Sequence, residues 1–314
     1  MRRSEIRLEN PAPPAGLKEC EALDSGGRQG PQHGECPTGA EQGKLARVDL
    51  GIPESGGDLP DVIDEALWGL GVYRRMQAAD GAVRGGIESA EHPRFGEASW
   101  QESQAIYAYA PDPWSSWLYA AAAARAGGWL GKRTAAADWL ASARRAFAWA
   151  EAQALPADAP HAVRDARNLA AAELYRATGE ASYHTIFLAT TSLDRDNAET
   201  YVWKEHEQRD AAWALLTTRH PVDDSLRERV RAAVLREASA RETQIVRAGF
   251  RWTKHPWAPS AWGALTAPDA IPLVRAHALT GDVRWLRAII LSCQFGAGAN
   301  PYDLCYVTGV GRAW

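Results

Sequence analysis

Tryptophan is the residue type with the clearest chemical implication in this sequence, because 14 of the 314 residues are tryptophan. An indole ring offers a flat apolar face on which the C–H groups of a sugar ring can stack, although such rings also fill space between packed helices. Trp252, Trp257 and Trp262 follow one another closely in FRWTKHPWAPSAWG, a segment too rich in proline and aromatic residues for a helix. We therefore expect these three tryptophans to line a glycan-binding cleft, with packing between helices as the alternative.

Two further residues are candidates for contact with the same kind of ligand. His92 lies in the predicted loop GGIESAEHPRFGEASWQES, and Trp203 lies in YVWKEHEQRD. A loop exposed only to solvent is the alternative for the first segment, and packing between helices is the alternative for the second. The polar and aromatic neighbours of these two candidates are Glu88, Glu91, Glu97, Trp100, Tyr201 and Asp210.

Acidic residues cluster where the first helix is predicted to begin. They are Glu54, Asp58, Asp61, Asp64 and Glu65. Carboxylates at a helix start cap free backbone N–H groups and interact favourably with the helix dipole, so we expect a structural role for this cluster. No residue of the sequence is assigned as catalytic.

Composition and motifs disfavour several classes of ligand and partner. The net charge is −4 and no basic block is present, which points away from nucleic acid and membranes as partners. No apolar run approaches the roughly 20 residues of a membrane span. No cofactor or metal is expected, because phosphate-binding glycine motifs, calcium loops and histidines at metal-ligand spacing are absent from the sequence. The histidines expected to be structural or exposed are His184, His206, His220, His255 and His277, and the cysteines, whose disulfide state stays open, are Cys20, Cys36, Cys293 and Cys305.

The elements that would position these residues are helices. Residues 1–50 are dense in Gly, Pro and Gln and are predicted to be irregular or disordered. Asp112 and Pro113 form a helix start that is predicted to end at Gly127 and Gly128. Strand-like alternation is nearly absent, so the predicted class is all-α. A further predicted helix begins at Pro60 and Asp61 and ends before the Asp80-Gly81 turn. The remaining predicted helices cover 134–153, 162–178, 182–193, 209–218, 224–241, 268–279 and 283–295.

One type of helix junction occurs twice, in LYRATGEASY (174–183) and HALTGDVRWL (277–286). In each, a glycine is placed to end one helix in the left-handed conformation, and the acid after it begins the next helix. Such short joints make antiparallel helical hairpins. A ring of hairpins, the α/α toroid, is the predicted architecture, and a helical solenoid is disfavoured because no fixed repeat period is found.

Three stretches resemble the catalytic domain of family 9 glycoside hydrolases. They are LGIPESGGDLPDVIDEALWGLGVYRRMQAADGAV (50–83), WGALTAPDAIPLVRAHALTGD (262–282) and GAGANPYDLCYVTGVG (296–311). The resemblance implies an (α/α)6 barrel, here incomplete, over residues 51–314. It implies a glycan-facing role for Trp262, which matches the Trp of the family's Trp-Gly-x-Leu motif. Family members are secreted, whereas MRRSEIRLENPAPP lacks the apolar stretch of a signal peptide.

The resemblance also implies a reaction: inverting hydrolysis of O-glycosyl bonds in β-linked glucans. Inversion needs two carboxyl groups roughly 6.5–9.5 Å apart, one acting as acid and the other as base on water. The family's acid and base find no match here, since Asp24-Ser25-Gly26 only approaches the Asp-Ala-Gly-Asp element and the general-acid glutamate is absent. A non-catalytic glycan-binding or vestigial toroid is therefore the alternative, and a lyase or epimerase is disfavoured. An incomplete toroid would expose apolar faces, so self-association is expected.

Overall fold

A computed structural model describes residues 51–306 of the chain, except 52–54, 93, 99–100, 102, 132, 157 and 254–268. The irregular segment predicted for residues 1–50 lies outside the described residues. The chain divides into two compact units. The first comprises Met1–Thr190 and Thr217–His220, and the second comprises Thr191–Leu216 and Pro221–Trp314.

Helices dominate the described residues, which confirms the all-α class. The helices are α1 (Asp61–Arg75), α2 (Pro113–Leu130), α3 (Thr134–Glu151), α4 (His161–Thr178), α5 (Ala181–Thr190), α6 (Arg209–Thr217), α7 (Asp224–Arg247), α8 (Ile271–Thr280) and α9 (Val283–Gly296). The strands are β1 (Ile87–Ser89), β2 (Ile106–Ala108), β3 (Tyr201–Val202) and β4 (His206–Glu207), paired as two antiparallel hairpins. Within the residues described, no helix combines the length and the apolar character of a membrane span.

Helix α2 starts as predicted but ends later than predicted. The Asp112 carboxylate accepts a hydrogen bond from the Ser115 backbone N–H at 2.8 Å, and Pro113 occupies the first helical position. Gly127 and Gly128 lie inside the helix, which continues to Leu130. A β-carbon at Gly127 would lie 2.6 Å from Leu140 Cγ of α3, so this glycine permits close helix packing and does not end the helix.

Helix α7 is also longer than predicted. The sequence pattern predicted an end at Arg241, whereas the helix continues to Arg247. The added turn carries Ile245, which is fully buried with Leu273 and Trp285 in one apolar cluster. Burial of the Ile245 side chain explains why the helix continues beyond the end of its amphipathic pattern.

The two predicted helix junctions have the same hydrogen bonds. Gly179 and Gly281 are left-handed, with φ of 74° and 68°. The Oγ1 atom of Thr178 donates to the Leu174 carbonyl at 2.7 Å and accepts from the Glu180 N–H at 3.2 Å. Thr280 makes the equivalent bonds at 2.7 and 3.2 Å, and the Asp282 carboxylate caps α9 by accepting from the Arg284 N–H. Both junctions are therefore confirmed as helix–Gly–acid–helix joints.

The first unit is built on α2, which packs against α3 and α4. Its alanines allow close approach of the neighbouring helices, while Trp117 and Tyr119 fill the remaining space. Buried among these helices, the Glu173 carboxylate accepts hydrogen bonds from Arg125 and Arg176. Desolvation alone would raise the pKa of Glu173, but the two guanidinium groups overcome it and hold this pKa below its ordinary value.

The second unit has its core among α7, α8 and α9. Ala238 and Ile245 of α7 meet Leu273 of α8 and Trp285 of α9, and each of these side chains is almost completely buried. The Arg275 guanidinium of α8 forms an ion pair with Asp210 of α6. These contacts fix the helices that support the site described next.

Candidate functional site

The second unit carries a tryptophan on an exposed hairpin. Strands β3 and β4 pair Tyr201 with Glu207 and Val202 with His206, which leaves Trp203, Lys204 and Glu205 at the turn. Lys204 has a φ of 63°, the left-handed conformation that a tight turn needs. Trp203 is 62% exposed, so most of this residue faces solvent.

The base of this hairpin is held by buried polar contacts. The His206 ring is buried, and its Nε2 atom lies 2.8 Å from the Glu199 carbonyl oxygen. The Gln208 N–H donates to the Thr200 carbonyl at 2.8 Å, and the Gln208 side chain in turn accepts from the Ser192 N–H. These bonds hold the base of the hairpin in place despite the shortness of the two strands.

A groove of about 360 Å³ lies beside the hairpin. The Tyr201 ring forms part of its wall, with the Arg209 guanidinium carbon 4.1 Å from the ring centroid. One face of α7 supplies much of the remaining surface, and its residues in the groove are Ala233, Arg236, Glu237, Ala240, Arg241 and Gln244. A second hollow of about 570 Å³ lies beside Asp196 and Glu228, but it has no aromatic lining, so we place the site at the groove with Tyr201.

Arg209 in the groove pairs with two carboxylates, that of Glu237 on the groove wall and that of Glu207 in β4. The Thr200 hydroxyl also donates to Glu237. Desolvation raises the pKa of Glu207 to about 7, with Arg209 opposing the rise. The Glu207 side chain is nevertheless 44% exposed, and both water and Arg209 favour the ionised carboxylate. The contacts therefore select an ion pair at Glu207, so we interpret this carboxylate as charged.

Of the three tryptophans predicted to line a cleft, the structure describes Trp252. Trp252 is half-buried and packs on Phe295, with 4.6 Å between ring centroids. Packing, the alternative considered for Trp252, thus accounts for part of its surface. Trp257 and Trp262 lie outside the described residues.

His92 lies in the first unit and is exposed, with the Gln104 side-chain amide donating to its backbone carbonyl. Its segment is not simply a solvated loop, because Glu88 lies in β1 and accepts a hydrogen bond from the Tyr109 hydroxyl at 2.6 Å. Glu97 accepts from the Ser103 hydroxyl at 2.8 Å. Each of these two acids therefore accepts a hydrogen bond from a nearby side chain.

The acidic cluster at α1 departs from the expected capping. Pro60 precedes the helix and no side chain caps it, whereas Asp61 and Asp64 lie in the first turn, where the dipole favours them. Asp61 is buried and accepts a hydrogen bond from the Ser55 hydroxyl. The side-chain capping part of this prediction is wrong because a proline occupies the cap position. Glu54 lies outside the described residues.

Sequence reasoning missed Arg209 and Glu237. A usable signal was present, because Ala233, Glu237, Ala240 and Gln244 recur at helical spacing on one face of α7. Small residues on both sides of a single acid indicate a face that leaves room for another molecule or segment. In the part of the chain that is described, no group of three His, Cys, Asp or Glu side chains could hold a metal ion.

Comparison with known proteins gives consistent matches. The family model described as glycosyl hydrolase family 9 matches residues 34–314. Endoglucanase C of Cellulomonas fimi is 28% identical over 298 residues, covering 85% of this chain and 26% of that protein. Two solved structures also match. A metagenome-derived glycoside hydrolase family 9 endoglucanase has a TM-score of 0.73 and 26% identity over 87% of this chain and 53% of its own. A Bacteroides ovatus GH9 protein has a TM-score of 0.72 and 21% identity over 86% of this chain and 54% of its own.

The chain matches only part of each of these relatives. It spans about half the length of the two solved structures and about a quarter of the curated relative. The matched structures have the (α/α)6 barrel, so the described helices adopt part of that fold.

Proposed function

Because the chain belongs to glycosyl hydrolase family 9, we propose that it carries the substrate-binding part of an O-glycosyl hydrolase acting on β-linked glucans. The substrate is a cellulose-type polysaccharide or an oligosaccharide derived from it. Two relatives named as endoglucanases, from Cellulomonas fimi and from a metagenome, support this substrate class.

The observation that carries the proposal is the exposed Trp203 at the turn of the hairpin whose Tyr201 lines a polar groove. Glucose rings have apolar C–H faces and equatorial hydroxyl groups, so they require an aromatic platform together with hydrogen-bonding side chains. Trp203 and Tyr201 supply the aromatic surface, and Glu237 and Gln244 supply polar groups on the α7 face. The further substrate contacts that we propose are Trp252, Trp257, Trp262 and His92.

The hydrolytic step needs a protonated acid and an ionised base on opposite sides of the bond. We assign neither role to a residue of this chain. The carboxylates of Glu207 in β4 and Glu237 in the groove are both paired with Arg209. A carboxylate paired with arginine is a poor proton donor, because the guanidinium stabilises its ionised form.

The same ion pairs favour a second candidate function, that of a glycan-binding toroid without catalysis. On this alternative, the chain retains the aromatic platform and uses the charged groups only to bind hydroxyl groups. The two functions differ in turnover and share the binding step.

A reducing-end assay on soluble β-1,4-glucan separates them. We expect the purified chain to bind cello-oligosaccharides with no sustained release of reducing ends. Sustained turnover that is lost in Glu207→Gln or Glu237→Gln would show that the chain has its own acid or base and overturn this part of the proposal. Absence of both binding and turnover would remove the glucan proposal altogether.

A further inference from the structure

The short turn Gly249–Arg251, which follows α7, holds a phenylalanine in the left-handed backbone conformation. Phe250 has a φ of 55° and a ψ of 18°. Glycine apart, the described residues with a positive φ are Phe250, Asn197, Lys204, Arg251 and Asp303. Asn and Asp tolerate this conformation, whereas a bulky aromatic residue in it is an outlier, because its β-carbon crowds the backbone. The backbone at Phe250 is therefore strained.

Burial of the Phe250 side chain does not account for this strain. Phe250 is 55% exposed, so more than half of the residue faces solvent. Glycine adopts a left-handed φ without steric cost, yet the glycine of this turn is Gly249, whose φ is not positive. A turn selected only for folding would have its glycine one position later. The presence of an aromatic residue at position 250 thus needs a reason other than stability.

Contacts on both sides of Phe250 hold the turn in place. Before the turn, Ile245 of α7 is fully buried in the core of the second unit. Arg251 donates a hydrogen bond from Nη1 to the Val246 carbonyl at 2.7 Å, which satisfies a carbonyl at the end of α7. After the turn, Trp252 packs on Phe295. These contacts lie within a few residues of one another, so they can maintain a conformation that is unfavourable by itself.

The turn is connected to the groove beside the β3–β4 hairpin through Arg241. This arginine lines the groove, donates a hydrogen bond to the Thr253 carbonyl at 3.0 Å and forms an ion pair with Asp269. The Thr253 hydroxyl oxygen in turn accepts from the Asp269 N–H at 3.0 Å. Phe250 is three residues before Thr253, so their α-carbons are at most roughly 11 Å apart. Phe250 is therefore held close to the side of the groove that Arg241 lines.

We propose that Phe250 is a further glucan contact, and that the left-handed turn positions its phenyl ring to extend the aromatic surface of the groove. Strained conformations persist where a residue serves a ligand and the surrounding structure maintains it. A phenyl ring offers the same kind of apolar face to the C–H groups of a sugar as an indole does. The assignment rests on the proposed function, because its ligand is the same β-linked glucan. It adds a residue that was not among the substrate contacts predicted from the sequence.

Three substitutions in the full chain separate the ring from the strain. Phe250→Gly removes both, Phe250→Ala removes the ring and keeps the strain, and Phe250→Tyr keeps both. The melting temperature of Phe250→Gly should be about 2 °C or more above that of Phe250→Ala, and no lower than that of the parent chain. By calorimetry, the Gly and Ala variants should bind cellohexaose about fivefold more weakly than the parent, and Phe250→Tyr within about twofold of it. Weaker binding without loss of stability is the result expected of a residue retained for its ligand.

Val246→Ala is the control, because Val246 is 60% exposed in the last turn of α7 and should bind cellohexaose like the parent. If the parent binds and the Gly and Ala variants bind equally well, the assignment of Phe250 is wrong and the proposed function stands. A loss in Val246→Ala as large as that in Phe250→Ala would also overturn the assignment, since any exposed apolar side chain there would then have the same effect. Equal melting temperatures for the Gly and Ala variants would overturn the strain. If the parent chain does not bind cellohexaose, the proposed function is wrong and the assignment fails with it.

Discussion

The imidazole ring of His220 lies against the α-carbon of Gly179, where a β-carbon would be 2.6 Å from the ring carbon Cε1. Gly281 occupies the equivalent place in the second helix junction and has a similar left-handed φ. Apart from its chain neighbours, no atom of the described residues lies within 4 Å of its β-carbon position. The two junctions therefore share a backbone conformation and differ in the space around it.

This difference makes the two glycines a matched pair. Alanine at either position should lower the free energy of unfolding by about 1–2 kcal/mol, the cost of a left-handed L-residue. Gly179→Ala should lose about 1–3 kcal/mol more, because His220 must move off its contact with Tyr175. Urea unfolding measures both losses. In the double variant Gly179→Ala/His220→Ala the extra loss should disappear, and equal losses for the two single variants would contradict the account.

Adjacent glycines of α2 give a second matched pair. A β-carbon at Gly127 would lie 2.6 Å from Leu140 Cγ and 3.1 Å from the Ala136 carbonyl oxygen, whereas one at Gly128 would lie 3.4 Å from Ala177 Cβ. Gly127→Ala should lower the free energy of unfolding by about 1–3 kcal/mol through overpacking. Gly128→Ala should be neutral or stabilise by up to about 1 kcal/mol, the gain in helix propensity. Thermal unfolding of both variants tests this, and a stabilising Gly127→Ala would argue against the close packing of α2 on α3.

The buried carboxylate of Glu173 should be far more sensitive than an exposed one. The Glu173 side chain is 1% exposed and pairs with Arg125 and Arg176. Glu173→Gln removes its negative charge and leaves the two guanidinium groups without an ionic partner at this position. We expect a loss of about 3–5 kcal/mol in the free energy of unfolding. Glu180→Gln is the control, because its pair with Arg144 is on the surface and should contribute about 1 kcal/mol or less. Similar losses in the two variants would show that the buried network is unimportant for stability.

Stability should also depend on pH through His184. This ring stacks on Tyr175 with 4.5 Å between centroids, and desolvation lowers the pKa of His184 below its ordinary value. The unfolded chain then binds the proton more readily, so stability falls as pH drops through about 6.5 and levels off below the folded-state pKa. His184→Gln should flatten the melting temperature between pH 7 and pH 5. His92→Gln controls for loss of an exposed imidazole, and an unchanged slope in His184→Gln would refute the assignment.

Local signals were sufficient to predict the presence of the helices and the two helix junctions, but not every helix end. Asp112, Gly179 and Gly281 act through neighbours in sequence, so their roles could be predicted without knowledge of packing. Gly127 was misread because its neighbour Leu140 lies on another helix, and the last turn of α7 was missed because it depends on burial of Ile245. Tertiary contacts therefore override the local pattern at both places.

The candidate site was less predictable for the same reason. Trp203 and Tyr201 could be selected by residue type, but the two-residue strands around them are too short to show alternation. Glu237 meets Arg209 across 28 residues of sequence, a contact that no local spacing indicates. The aromatic part of the site was thus accessible from sequence, and its charged part required the fold.

The most direct test of the account is the affinity of the chain for a cello-oligosaccharide before and after removal of the Trp203 indole. Trp203 and Trp68 are 62% and 63% exposed, so Trp68→Ala on α1 is a control for the loss of an equally exposed tryptophan. By calorimetry, Trp203→Ala should weaken binding about tenfold, or roughly 1.4 kcal/mol, while Trp68→Ala binds like the parent chain. Unchanged affinity in Trp203→Ala, or an equal loss in both variants, would contradict the placement of the glucan site.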